Sequence, residues 1–104
     1  MNQQERDEYL SFNRTGKGWL PIIKELDKCL SIIDPNYEIY QVKEKFGGLR
    51  FYFDTRTRFY NAMEKLVDGA EDLCWKTCEA CGSTENVTTE GSSYYLKTAC
   101  PEHQ

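Results

Sequence analysis

Four residues near the C-terminus constrain this chain more than any other feature. They are Cys78 and Cys81 in "CEACG", followed by Cys100 and His103 in "CPEH". Cys-x2-Cys and Cys-x2-His, eighteen residues apart, let two tight knuckles each present two ligands to one tetrahedral ion. Unrelated thiols rarely fall into that spacing by accident. Four protein ligands also close the coordination sphere, which points to a structural ion, Zn2+, rather than to a catalytic one. Such a site supplies on the order of 10 kcal/mol of folding free energy, which a terminal segment poor in apolar residues needs.

Between the two pairs, "NVTTEGSSYYLKTA" reads as a small hairpin, with strands over 86–89 and 94–98 across Gly91-Ser92-Ser93. Residues 78–104 are therefore expected to form a zinc-ribbon-like segment. The two remaining cysteines have bland explanations. Cys29 falls within a helical pattern and is expected in the core. Cys74, one turn before Cys78, is expected to pack rather than to ligate. Disulfides are not expected, because the N-terminus "MNQQERDEYLSF" lacks the charged-then-apolar pattern of a signal peptide. No apolar run reaches membrane-spanning length either, so a cytoplasmic protein that does not engage membranes is expected.

The rest of the chain has the periodicity of an α+β core over 18–77, preceded by a flexible N-terminal arm over 1–17. A helix is expected over 19–33, with Trp19, Ile22, Ile23, Leu26, Leu30 and Ile33 on one stripe and Lys24, Glu25, Asp27 and Lys28 opposite. Pro21 suits its first turn, and Asp34-Pro35-Asn36 stops it. A second helix over 58–76 turns Phe59, Met63, Leu66, Val67, Ala70 and Leu73 inward. The fold class expected is two helices packed on one face of a β-hairpin, with the ribbon appended.

That hairpin lies in "QVKEKFGGLRFYF", residues 41–53. Its cations and four aromatics have the composition of an RNA-reading strand, where ring faces stack on bases. With Gly47-Gly48 as a two-residue turn joining strands over 37–46 and 49–54, Phe46 pairs with Leu49 and Val42 with Phe53. One face then carries Tyr40, Val42, Phe46, Leu49, Phe51 and Phe53, and the other Gln41, Lys43, Lys45, Arg50, Tyr52 and Asp54. The separation favours a core face over a stacking platform. Glu44 is the exception on the apolar side, explained either by a place at the sheet edge or by pairing with a cation such as Arg56.

Charge and chemistry narrow the functions. The net charge of −4 disfavours generic binding to nucleic acid or anionic membranes. It is uneven, however. Residues 37–58 hold five cations against three acids, while 59–104 hold three cations against eight acids. Lys43, Lys45, Arg50 and Tyr52 thus form a basic outer face suited to a protein partner with an acidic surface, since Arg and Tyr are favoured anchors. Catalysis is not expected: the single histidine, His103, is taken as a ligand, and no base beside a nucleophile stands out. The leading expectation is a protein-interaction module, with a nucleic-acid-binding zinc ribbon as the alternative.

Trp19 opening a helix, the block "QVKEKFGGLRFY", then "CEACG" and a terminal Cys-x2-His, resemble a group of short bacteriophage and mobile-element proteins. The resemblance spans residue 18 to the end. It implies the ligands Cys78, Cys81, Cys100 and His103, and a phage accessory role in which a host factor, such as one of host defence, is bound or inhibited. Where the resembled proteins carry Gly-Trp before the second cysteine pair, this chain has Tyr94-Tyr95, so no role of that tryptophan carries over.

Overall fold

A computed structural model describes residues 4–6, 10 and 16–104. A single 3-10 turn, Lys17–Trp19, leads into helix α1, Leu20–Ile33. Strands β1, Glu38–Lys45, and β2, Gly48–Asp54, form one antiparallel pair. Helix α2, Tyr60–Cys74, follows, and β3, Thr88–Ser92, with β4, Tyr95–Ala99, forms a second antiparallel pair. The architecture is α+β, as the periodicity predicts.

Local chemistry sets the ends of α1. Pro21 sits in the first turn, where its missing N–H costs nothing. Asp34, forced out of helical geometry by Pro35, is extended, and its side chain accepts the Asn36 N–H at 2.9 Å. One apolar core joins the elements. Trp19, Ile23, Leu26 and Leu30 come from the α1 segment, Met63, Val67 and Cys74 from α2, and Ile39, Val42, Leu49, Phe51 and Phe53 from the hairpin.

The hairpin corrects the expected register. Lys45 pairs with Gly48, Glu44 with Leu49 and Val42 with Phe51, so the two turn residues are Phe46 and Gly47 rather than Gly47-Gly48. Both have positive φ, 56° and 85°, as a primed two-residue turn requires. Gly48 is needed in the strand itself, because a Cβ there would lie 2.4 Å from the Trp75 ring. From Gln41 to the turn the shift moves each pair by two positions, which preserves parity. Val42, Leu49, Phe51 and Phe53 therefore still point inward, as expected.

Only the hairpin's ends change face. Phe46 goes into the turn and is 56% exposed. A bulge at Tyr40 turns that ring outward and Ile39 inward. Glu44 does not need a cation: its carboxylate folds back and accepts the Gly47 N–H at 2.6 Å. The outer edge of β2 is closed by α2, whose Glu71 accepts the Phe51 N–H at 3.1 Å.

Three further expectations fail in the helices. Phe59, Leu66 and Leu73, expected on the inward face of the second helix, remain substantially exposed, and Cys29 is half-exposed instead of core. Asp27, assigned to the outer side of α1, is buried. It accepts a hydrogen bond from the buried Tyr37 hydroxyl and pairs with Arg6 Nε at 3.3 Å. The Arg6 guanidinium lies 5.2 Å from the Tyr37 ring centroid and donates to the Pro35 carbonyl at 2.8 Å. The expected flexible arm over 1–17 lies largely outside the described residues. Among those described, Arg6 and Leu10 are helical and buried.

Candidate metal centre

Helix α2 ends at Cys74, and a short turn brings the chain to the first knuckle. There the Gly82 N–H donates to the Cys78 carbonyl at 2.9 Å, and the Cys78 N–H to the Ser83 carbonyl at 2.7 Å. The Glu79 N–H donates to the Thr98 carbonyl at 2.9 Å, stitching this knuckle to β4. Strand β4 delivers Cys100, and the second knuckle closes when the His103 N–H donates to the Cys100 carbonyl at 3.0 Å. The Gln104 amide secures the end, donating to the Thr88 carbonyl of β3 at 2.6 Å.

These knuckles bring together the four residues expected from the spacing. One ligand atom from each of Cys78, Cys81, Cys100 and His103 lies within 4.8 Å of all the others. Cys81 Sγ and Cys100 Sγ are 3.7 Å apart, far from the 2.05 Å or so of a disulfide. His103 Nδ1 lies 3.8 Å from Cys78 Sγ and 3.2 Å from Cys100 Sγ. A tetrahedron with Zn–S near 2.3 Å and Zn–N near 2.05 Å has edges of about 3.8 Å and about 3.6 Å. The residues therefore fit a tetrahedral metal ion, with His103 turning Nδ1 inward.

The electrostatics suit a cation. Burial opposes ionisation of Cys78, but the Cys100, Cys81 and Ala80 N–H groups and the neighbouring Cys81 thiol outweigh it and bring Cys78 down to about 6. At Cys81 the Ser83 N–H favours the thiolate, yet burial and the adjacent Cys78 and Cys100 sulfurs raise its pKa. One thiolate forms readily and disfavours the next. A dication held there by Cys78, Cys81, Cys100 and His103 would remove that conflict, and its binding would release protons. Cys78 and Cys100 are buried, whereas Cys81 is exposed. Cys74 is buried, stands outside the cluster, and is pushed up to about 12, first by burial and then by Glu71.

The centre is interlocked with the core. Gly18 donates its N–H to the Glu79 carbonyl at 2.8 Å, and a Cβ at Gly18 would lie 2.0 Å from the Cys78 carbonyl oxygen. The buried Trp19 indole donates to the Thr77 carbonyl at 2.9 Å. On the other side, the buried Thr98 hydroxyl donates to the Gly47 carbonyl of the hairpin turn at 2.6 Å. Sequence reasoning missed these ties. The glycines of "GKGW" and "FGG" were their signal, since the first mark where the Cys78–Glu79 backbone comes close and the second where the Thr89, Thr98 and Trp75 side chains do.

The four residues expected on the outer hairpin face differ in exposure. Lys43 and Tyr52 share that face, with Lys43 Nζ 6.0 Å from the Tyr52 ring centroid. Lys45 is exposed, its ammonium 5.5 Å from the Phe46 ring centroid. Arg50 is half-buried, and its Nε is shielded from solvent without a hydrogen-bond partner among the described residues. Its charge opposes the effect of burial, which raises the Glu71 pKa. Among the described residues, no helix is long and apolar enough to cross a membrane. No protein-family model matches the chain, and neither does any curated protein or solved structure.

Proposed function

We propose that this chain is a small, non-catalytic protein-interaction module held together by a structural Zn2+. The observation that carries this reading is the closed set of Cys78, Cys81, Cys100 and His103 at tetrahedral spacing. Three soft thiolates and one imidazole favour zinc over harder cations, and a four-protein-ligand site leaves no position for substrate. With the only histidine so committed, the ribbon serves as a scaffold.

The contact face we propose is the outer hairpin surface of Lys43, Lys45, Arg50 and Tyr52. Its cations suit a partner with an acidic surface, and Tyr52 supplies an amphipathic anchor. The resemblance to phage and mobile-element proteins gives the biological form of the proposal: an accessory protein that binds or inhibits a host factor in the host cytoplasm, with defence proteins the natural candidates. One observation favours a second reading, nucleic-acid binding. Exposed rings at Tyr52 and Phe46 each carry a lysine ammonium nearby, a pairing that single-stranded nucleic acid also uses.

Two measurements test this. Native mass spectrometry is expected to find one Zn2+ per chain, lost in Cys100→Ser. Affinity capture from bacterial lysate is expected to survive nuclease treatment and to fail for the Lys43→Ala, Tyr52→Ala double variant. Capture that disappears with nuclease, and falls steeply with salt, would instead establish the nucleic-acid reading.

A further inference from the structure

Helix α2 carries more apolar surface than the core uses. Met63, Val67 and Cys74 point inward, yet Leu66 and Leu73 stay 39% and 47% exposed. With Ile22, Leu26, Cys29 and Ala70 they line an open groove of about 320 Å3 between α1 and α2. Gly69 sits mid-helix on this same surface, where glycine is unfavourable. A Cβ there would meet nothing within 4 Å among the described residues, so no close contact with them accounts for it.

We propose that this face is a homodimer interface, in which two copies of the chain pack their α2 helices antiparallel about a two-fold axis passing beside Gly69 and Ala70. The pattern is self-complementary, as an isologous contact requires. Leu66 and Leu73 are mirror positions about the 69–70 peptide, so each Leu66 meets the second copy's Leu73. Gly69 meets the second copy's Ala70, and these small residues let the helix backbones approach. Lys65 and Asp72 are exposed and two turns apart, on one flank of α2. In the antiparallel arrangement each Lys65 ammonium comes within side-chain reach of the second copy's Asp72 carboxylate, and symmetry makes the pair twice. Of the charges that line the groove, Glu25 and Lys65, the second copy pairs Lys65 with its Asp72.

Sedimentation equilibrium of the full chain over a wide concentration range tests the proposal. A reversible monomer–dimer equilibrium is expected, and Leu66→Asp should abolish it while leaving the far-UV circular dichroism unchanged. Gly69→Arg, whose side chain starts in open space, is a second disruptor and keeps the test readable if Leu66→Asp lowers stability. Lys65→Glu or Asp72→Lys alone should weaken association on the order of tenfold, whereas the two together restore it by reversing the pair in both copies. A monomer at every concentration, a dimer indifferent to Gly69→Arg, or a double charge variant no better than the singles would each overturn the proposal. So would a groove that holds a foreign helix while the chain stays monomeric.

Discussion

The two halves of this molecule are held by different physics. In the α1–hairpin–α2 unit, large apolar side chains from every element meet in one core. The segment after α2 has no such resource. Its own buried cluster is Cys78, Ala99 and Cys100, with Val87 packed against it, and two of those three are thiols of the candidate metal centre. Apart from Thr98 and Ala99, the strands β3 and β4 are exposed or half-exposed. One unit is stable because it removes hydrocarbon from water. The other has the hydrogen bonds that tie it to Gly18, Trp19 and Gly47 and, in the proposed reading, coordination of a metal ion by its four ligand residues.

The sharpest way to break that contrast is to remove the metal. Chelation or Cys100→Ser is expected to withdraw on the order of 10 kcal/mol from the C-terminal segment. Hydrogen exchange should then show 78–104 unprotected while α1 and α2 keep slowly exchanging amides. A metal-free chain with full protection in β3 and β4 would show that the segment does not depend on coordination. In the apolar unit the matching experiment is Phe51→Ala, which should cost about 3–5 kcal/mol in denaturant unfolding. Its neighbour Tyr52, 45% exposed on the other face, should cost under about 1 kcal/mol on truncation. Equal losses would reverse the assignment of faces.

The apolar unit also carries buried titrating groups that sharpen the comparison. Burial, then the hydrogen bond to Asp27, raises the Tyr37 pKa well above the ordinary tyrosine range, and burial pushes Cys74 up to about 12. Both therefore favour their neutral forms in the folded state. Their stabilisation is complete below the unfolded values of about 8.5 for Cys and about 10 for Tyr, and is lost as pH rises beyond each. The expected slope reaches about 1.4 kcal/mol per pH unit for each group titrating. Urea unfolding between pH 8 and 11 checks this, and Tyr37→Phe should make the alkaline decline shallower. An unchanged decline would mean that Tyr37 does not contribute.

What was legible in the sequence follows the same division. Ligand spacing revealed Cys78, Cys81, Cys100 and His103, because each knuckle is a local structure of a few residues. The hairpin's inward residues were legible because an error of two positions in pairing leaves parity intact. Features needing a distant partner were not legible. Asp27 looks like any exposed helix acid until Arg6 and Tyr37 surround it, and Cys29 looks apolar enough for a core but lies half-exposed along the groove between α1 and α2. The bulge at Tyr40 has no local signal, since alternation simply continues through it.

The joint between the two halves offers a smaller effect. Thr98→Val keeps the shape of the side chain but strands the buried Gly47 carbonyl, and should cost about 1–3 kcal/mol. If the halves were energetically independent, this loss would appear only in the C-terminal segment. We expect it in the hairpin turn as well, as faster amide exchange at 46–48.

The smallest effect has the opposite sign and lies in that turn. Phe46 holds φ at 56° in the left-handed region, where a side chain costs about 1–2 kcal/mol. Its ring is 56% exposed, so little burial offsets the strain. Asn-Gly is the favoured pair for a primed two-residue turn, because asparagine tolerates positive φ. Phe46→Asn should therefore stabilise the apolar unit by about 1 kcal/mol in denaturant unfolding while leaving metal affinity unchanged. If the variant is instead destabilised, the ring contributes through contact with Lys45 or the ribbon, and the turn conformation of this chain is chosen by packing rather than by backbone preference.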